Sequence, residues 1–504
     1  MSSFKVSPGR LFSPAAFKTF LAVTALALSI GAGGQRRALA SAEPRPTPDV
    51  TAGAAGQAVN SYAGVVKRVA PAVVTINAQR RVSARQGSPF GDNPLLEEFF
   101  GRQGRGRQQP QRERRAAALG SGVIVSADGY ILTNHHVIEG AEQIKVELND
   151  GRTLDAQVVG SDEPSDLAVL KVSGSNLPTL RLGDSDRVEV GDVVLAVGNP
   201  LGIGQTVTTG IISAKGRQTG SADGSFEDFL QTDAPINQGN SGGALVNTNG
   251  ELIGINSQIL SRSGGSIGIG FAIPSNMAGG VMEQLVKTGA VRRGQLGVIV
   301  QKVTSDIADS LGLGEARGVI VSQVQPGSAA ERAGLRRGDV ITALNGAAVN
   351  DPNGFRNRVA GVQPGTETRL DLVRGGRETQ VRAVLGEFKV EKARAEVEED
   401  SAQAPTKQDT GNLGLGVEPV TPQAAVRDGR PAGARGLVVT QVDDAGPAAD
   451  AGLERGDIIV EANQRTVSSA AELKSAVESA GSRPSLLLVN RRGATIYMTV
   501  SPRQ

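Results

Sequence analysis

A stretch near the carboxyl half of the chain occurs twice. Gly294-Gln-Leu-Gly-Val298 and Val303-Thr304 return as Gly411-Asn-Leu-Gly-Leu415 and Val420-Thr421, an offset of 117 (294 to 411). Farther on, Gly318-Val-Ile-Val-Ser-Gln-Val324 returns as Gly436-Leu-Val-Val-Thr-Gln-Val442, and Ala333-Gly-Leu-Arg-Arg-Gly-Asp-Val-Ile341 as Ala451-Gly-Leu-Glu-Arg-Gly-Asp-Ile-Ile459, both offset by 118 (318 to 436, 333 to 451). Two copies at so long a period describe tandem domains with one inserted residue and not a solenoid, whose units are shorter and more numerous. The repeats occupy 292–388 and 411–504, and the charged stretch 389–410 between them reads as a linker. The Ala-Gly-Leu and Gly-Asp signatures read as architecture, a helix end and a turn into a strand.

Ahead of the repeats, Gly120 to Pro274 carries strand signals at short intervals. Gly122 to Val125, the turn Ser126-Ala-Asp-Gly129 and Tyr130 to Thr133 make a hairpin pattern. Ile144, Val146 and Leu148 alternate with polar residues, and further apolar runs cover 167–172, 193–197, 206–213, 252–255 and 269–273. No long amphipathic helix interrupts them until a helix predicted over 276–288. The chain has 66 Gly in 504 residues, about 13% against a usual ~7%, which suits many tight turns joining short strands. An antiparallel barrel or sandwich assembly is the economical reading.

The amino terminus has another character. Lys5, Arg10 and Lys18 precede an apolar run from Phe20 to Ile30, and Ala38-Leu-Ala40 and Ala40-Ser-Ala42 have the form of cleavage sites. Residues 1–42 therefore read as a secretory signal peptide, with a retained anchor as the alternative, and 43–60 as a flexible tether. A short helix is expected from Val65 to Val69, ended by Pro71, then a strand from Ala72 to Asn77. The pattern is lost from 79 to 118, a stretch read as a mobile loop. It holds Arg102, Arg105, Arg107, Arg112, Arg114 and Arg115, either a solvated loop or a weak membrane- or partner-binding patch. Leu95, Leu96, Phe99 and Phe100 within it have helical spacing suited to insertion into another subunit.

Composition narrows the chemistry. The sequence has no Cys, which excludes disulfides, thiolate metal sites and a cysteine nucleophile. Lys+Arg at 53 against Asp+Glu at 51 leaves a net charge of +2, too balanced for nucleic-acid binding by bulk electrostatics. Only two histidines exist, His135 and His136, so any histidine acid or base is one of this pair. Downstream, Gly239-Asn-Ser-Gly-Gly243 frames Ser241 with glycines that permit a tight loop of backbone N–H groups able to stabilise an oxyanion. Asp166 opens the apolar run Leu167 to Leu170. Read in isolation, the serine motif could be a simple turn and Asp166 a capping carboxylate. Together they supply base, carboxylate and nucleophile in the order His, Asp, Ser, the order of chymotrypsin-like proteases.

Thr133-Asn-His-His-Val137, Ser165-Asp-Leu-Ala-Val-Leu170 and Gly239-Asn-Ser-Gly-Gly-Ala-Leu245 resemble the three active-site motifs of HtrA/DegP serine proteases, and the two repeats resemble PDZ domains. The resemblance runs from about Ser61 to the carboxyl terminus. It implies a mainly β chain: a chymotrypsin-like double β-barrel protease domain over 61–288, followed by two PDZ domains. It places the base at His136, the residue before the valine, with Asp166 and Ser241 as partners and Gly239, Asn240 and Ser241 around the oxyanion. His135 would then point elsewhere by strand alternation.

By the same resemblance, Gly198 to Gln205, Gly216 to Asp228 and Ser257 to Gly268 are loops that build and switch the site. Gln295, Leu296, Gly297 and Val298 in the first repeat, and Asn412, Leu413, Gly414 and Leu415 in the second, would capture the C-terminal carboxylate of a peptide added as a strand. The implied activity is ATP-independent, cofactor-free endoproteolysis of unfolded or misfolded exported proteins in the periplasm, by homotrimers or multiples of them. A chaperone or scaffold with a resting protease domain is the competing reading.

Overall fold

Strands whose two faces are both buried read as continuous apolar runs, and Leu167–Val172 and Gly270–Pro274, ahead of the repeats, are of that kind. The structure, a computed structural model, describes residues 61–82, 114–199, 204–220, 225–261, 264–388, 413–420 and 435–501. After α1 (Ala63–Val69), strands β1 (Val73–Val82), β2 (Arg114–Ile124), β3 (Tyr130–Thr133), β4 (Gln143–Glu147), β5 (Thr153–Asp162) and β6 (Leu167–Val172) close a barrel in the order β1-β2-β3-β6-β5-β4. A one-turn helix, α2 (His135–Ile138), follows β3. A second barrel, from β7 (Val193–Gly198), β8 (Thr206–Arg217), β9 (Phe229–Thr232), β10 (Ala244–Asn247), β11 (Leu252–Ile259) and β12 (Gly270–Pro274), closes as β10-β11-β12-β9-β8-β7.

Side-chain alternation sorts these strands between three cores. Val74, Ile124, Ile131 and Leu170 fill the first barrel, while Val194, Ala196, Ile212 and Leu230 fill the second. Their neighbours Val73, Val123, Leu132 and Val169 meet Leu195, Val197, Phe229 and Ile255 in a seam between the barrels. Ala278, Val281 and Leu285 of α3 (Ser275–Thr288) join that seam, and Gly289 at φ 75° ends the helix in the left-handed conformation usual for glycine.

The stretch expected to lose its pattern at 79–118 is in part regular. β1 runs to Val82 and pairs through Val82↔Arg114, so the arginines there extend a two-stranded ladder. Backbone pairing needs no alternation of side chains, which is why the sequence pattern missed it. Residues 83–113 lie outside the described residues, as do the signal segment, the tether, the Leu95–Phe100 patch, the linker and Asn412.

Each repeat forms a five-stranded antiparallel path with a small strand at its side. The first comprises β13 (Gly294–Gln295), β14 (Val298–Lys302), α4 (Ser305–Leu311), β15 (Val319–Val324), α5 (Ala329–Arg332), β16 (Val340–Leu344), β17 (Ala347–Ala348), α6 (Pro352–Gly361), β18 (Glu367–Arg374), β19 (Arg377–Val384) and β20 (Gly386–Glu387). The second comprises β21 (Leu415–Pro419), β22 (Leu437–Val442), α7 (Pro447–Asp450), β23 (Ile458–Ala462), β24 (Arg465–Thr466), α8 (Ala470–Glu478), β25 (Ser485–Arg491) and β26 (Ala494–Val500). The sheet orders are β14-β15-β16-β18-β19 and β21-β22-β23-β25-β26, so β14 and β21 are edge strands. Val303, Ile307, Ile320 and Val340 of the first repeat share a buried cluster with Leu486, Leu488 and Tyr497 of the second. No helix among the described residues is long and apolar enough to cross a membrane.

Candidate active site

His136 lies in α2, directly after β3. Asn134 is extended (ψ 150°), and the chain then turns helical, so His135 and His136 diverge by helical rotation and not by the strand alternation expected from sequence. His136 is 5% exposed. Asp166 ends the turn Glu163–Ser165 in the left-handed region, φ 53°, an unusual conformation for a residue other than glycine. Three bonds hold it there: its carbonyl accepts from His135 N (3.1 Å) and Asn134 Nδ2 (2.9 Å), and its amide donates to the Glu163 carbonyl (2.9 Å).

So placed, the Asp166 carboxylate faces the imidazole. His136 Nδ1 is 2.9 Å from both carboxylate oxygens, a contact that requires the Nδ1–H tautomer, and the His136 amide donates to Oδ1 at 3.1 Å. Ser257 Oγ donates to Oδ2 at 2.9 Å. Burial alone would push this carboxyl up; the His136 imidazole and the hydrogen bonds from His136 and Ser257 outweigh it and hold the group below the usual carboxylate range.

Ser241 comes from the second barrel, on the loop before β10, and is 1% exposed. Its Oγ donates to the Ser257 carbonyl at 2.9 Å and not to His136 Nε2. Ser257 thus touches both the Ser241 hydroxyl and the Asp166 carboxylate. Around Ser241, Gly239 sits at φ 97° and Gly242 at φ 81°, and a Cβ on Gly242 would collide with the Ser121 carbonyl oxygen. The Asn240 amide donates to the Asn237 carbonyl at 3.0 Å, so of the three residues expected around an oxyanion its amide is spent within the loop. Sequence reading places His136, Asp166 and Ser241, and the structure brings them to one seam.

Several contributing residues carry no motif that would reveal them. Asp162 accepts a bidentate bond from Arg293 (2.7 and 2.5 Å) with the two side chains 7% and 10% exposed, and it caps the turn that ends in Asp166. Arg293 also lies 4.5 Å from the centroid of the Phe226 ring, which meets Phe388 edge-on. Asn353 and Asn357 of α6 donate to the Glu227 carbonyl at 2.8 and 2.7 Å. The first repeat is therefore bonded to the loop 216–228.

In the first repeat Leu296 is buried at 3% exposure and Gly297 adopts φ 80°, while the carbonyls of both accept from Ala330 N (2.8 Å) and Gln325 N (2.9 Å). In the second, Leu413 and Leu415 are buried at 3% and 1%, Gly414 is at φ 67°, and its carbonyl accepts from Asp443 N (2.8 Å). Each loop leads into the strand at the edge of its sheet.

Comparison with known proteins agrees with this architecture. The trypsin-like peptidase domain family matches residues 120–255, and the PDZ domain family matches 286–385 and again 438–491. The periplasmic serine endoprotease DegP of Escherichia coli is 39% identical over 505 aligned positions, covering 95% of this chain and 99% of the relative. The periplasmic pH-dependent serine endoprotease DegQ of the same organism is 40% identical, covering 94% and 98%. A solved structure of the HtrA-type protease AlgW with a tripeptide is 44% identical, covers 66% of this chain and 99% of its own, and superposes with a TM-score of 0.53. This chain belongs to the HtrA/DegP family of serine endoproteases, a trypsin-like peptidase domain followed by two PDZ domains.

Proposed function

We propose that Ser241 is the nucleophile, His136 the general base and Asp166 the carboxylate that orients it, in endoproteolysis of unfolded or misfolded proteins in the periplasm. The observation that carries this reading is the Asp166 carboxylate held against His136 Nδ1, the arrangement that fixes the tautomer in which Nε2 can act as base. For the reaction the Ser241 hydroxyl must exchange the Ser257 carbonyl for His136 Nε2. His136 then accepts the proton as Oγ attacks the scissile carbonyl, and Asp166 offsets the imidazolium charge. The Gly239 and Ser241 amides receive the oxyanion. Protonated His136 returns its proton to the leaving amine, and water hydrolyses the acyl-enzyme by the same path.

The edge positions of β14 and β21, beside Gly297 and Gly414, suit capture of a peptide carboxyl terminus by strand addition. Assembly into homotrimers and export by the amino-terminal segment belong to the same reading. The relatives' names speak for a protease and not for an inactive scaffold. Degradation of β-casein without nucleotide tests it. Ser241→Ala is expected to lower turnover on the order of a millionfold while leaving the melting temperature within a few degrees. Cleavage surviving in that variant would place the nucleophile elsewhere.

A further inference from the structure

The oxyanion loop is held from across the seam by one buried side chain of the first barrel. Ser121, in β2, is 0% exposed. Its Oγ donates to the Gly239 carbonyl at 2.6 Å, its amide donates to the Ser241 carbonyl at 2.8 Å, and its Oγ accepts from the Asn199 amide at 3.0 Å. Thr133 Oγ1 donates to the Ser121 carbonyl at 2.7 Å, so every polar group of Ser121 that faces the seam has a partner.

These bonds pin consecutive peptide planes. The plane joining Gly239 and Asn240 is held at its carbonyl by Ser121 Oγ and at its N–H by the Asn237 carbonyl. The plane joining Ser241 and Gly242 is held at its carbonyl by the Ser121 amide and at its N–H by the Asn256 carbonyl, 2.8 Å. Between them, the Asn240 carbonyl accepts from Gly243 N at 2.9 Å, which fixes the opposite direction for the Ser241 N–H. The Ser241 N–H has no acceptor among the described residues. Glycine at 239 would otherwise leave the first plane free to turn over, because a residue without Cβ populates both signs of φ.

We propose that Ser121 is a positioning residue for catalysis, its hydroxyl latching the Gly239 carbonyl so that the loop keeps the Ser241 amide aimed at the oxyanion. The inference rests on the assignment of Ser241 as nucleophile. A latch of this kind acts on the charge that develops in the transition state and not on the ground-state substrate. Losing it lowers kcat and spares KM. It also weakens an inhibitor that reproduces the tetrahedral adduct while leaving a non-covalent peptide unaffected.

The test compares wild type, Ser121→Ala, Ser121→Cys and Ser241→Ala on a fluorogenic peptide taken from a β-casein cleavage site, with a peptide boronic acid as inhibitor. For Ser121→Ala, kcat is expected to fall about 10- to 100-fold, below the loss for deleting an oxyanion donor outright. KM stays within twofold, boronate affinity falls in step with kcat, and the acid limb of the pH–rate profile stays in place because His136 and Asp166 are untouched. Ser121→Cys, with a weaker donor, lies between; if the alanine variant fails to fold, a lowered kcat with unchanged KM in the cysteine variant carries the decision. A kcat within twofold of wild type, a loss that appears in KM, or unchanged boronate affinity overturns the latch. An inactive Ser241→Ala beside a fully active Ser121→Ala sinks only this inference, whereas an active Ser241→Ala removes the nucleophile assignment beneath it.

Discussion

The two PDZ domains share an internal frame and differ in what they present outward. In the first, Asp339 is 1% exposed and accepts two bonds from Arg374, both 2.7 Å, while Arg374 also donates to the Gly334 carbonyl at 2.9 Å. In the second, Asp457 at 2% accepts from Arg491 at 2.8 and 2.7 Å, and Arg491 donates to the Gly452 carbonyl at 2.7 Å. Phe355 and Val359 of α6 pack inward as Leu473 and Val477 of α8 do. Outward the likeness ends. Asn353 and Asn357 reach the protease loop, whereas their counterparts at the offset of 118 are Ala471 and Ser475. Arg293, just ahead of Gly294, grips Asp162, and its counterpart at the offset of 117 is Thr410. Duplication preserved what folds the domain, and among the described residues the side-chain bonds to the two barrels come from the first copy.

The sharpest way to break this comparison is to remove both carboxylates in turn. Asp339→Ala strips Arg374 of its carboxylate, and Asp457→Ala takes the bidentate carboxylate from Arg491 and leaves it the exposed Glu454 (3.2 Å), each at a cost of about 3 kcal/mol. Urea midpoints are expected to shift by similar amounts, but only Asp339→Ala should also depress casein degradation. A much smaller shift for one variant would mean that the two frames are not equivalent.

Arg293→Met probes the wiring alone. It leaves Asp162 buried without its cation, a loss of about 3 kcal/mol. Because Asp162 accepts from Ser165 N (3.1 Å) in the turn that ends at Asp166, turnover should fall roughly tenfold, an effect on alignment of the kind positioning groups produce. Stability lost with turnover intact would reduce the pair to a staple between domains.

Much of this was open to a reader of the sequence. The repeats declare themselves through glycines and aspartates at fixed offsets, and the proposed triad rests on scarcity, since two adjacent histidines leave almost no choice of base. What stayed hidden depends on contacts between distant segments. Ser121 looks like any serine in a Gly-Ser-Gly strand, and its value comes from Gly239 and Asn199 arriving from the other barrel. Ser257 carries no motif of its own, yet its carbonyl and hydroxyl meet Ser241 and Asp166. β5 alternates exposed and half-buried residues, with a bulge between Val158 and Gly160, so period-2 reading passed over it. α2 escaped because four residues are too few to show a helical period.

The smallest effect tests whether the wired copy also carries an electrostatic cost. Asp228 lies on the loop that meets the first PDZ domain, where burial, then the charges of Asp351 and Asp186, push its carboxyl up, against weaker opposition from Arg358 and Lys215. Asp351 caps α6, whereas the equivalent cap of α8 is the neutral Ser469. A carboxyl whose folded-state value is raised favours the folded state in its protonated form. That contribution is full below the ordinary carboxylate value and is lost as pH rises through the folded value, so at neutral pH the ionised Asp228 works against the contact. Asp228→Asn keeps the uncharged form at every pH. Its melting temperature should match wild type under acid conditions and exceed it by a few degrees at pH 7, with the gain opening between the two carboxylate values. A constant difference across that range, or a variant less stable at pH 7, would mean that the Asp228 carboxylate is paired favourably across the contact and that the cost lies elsewhere.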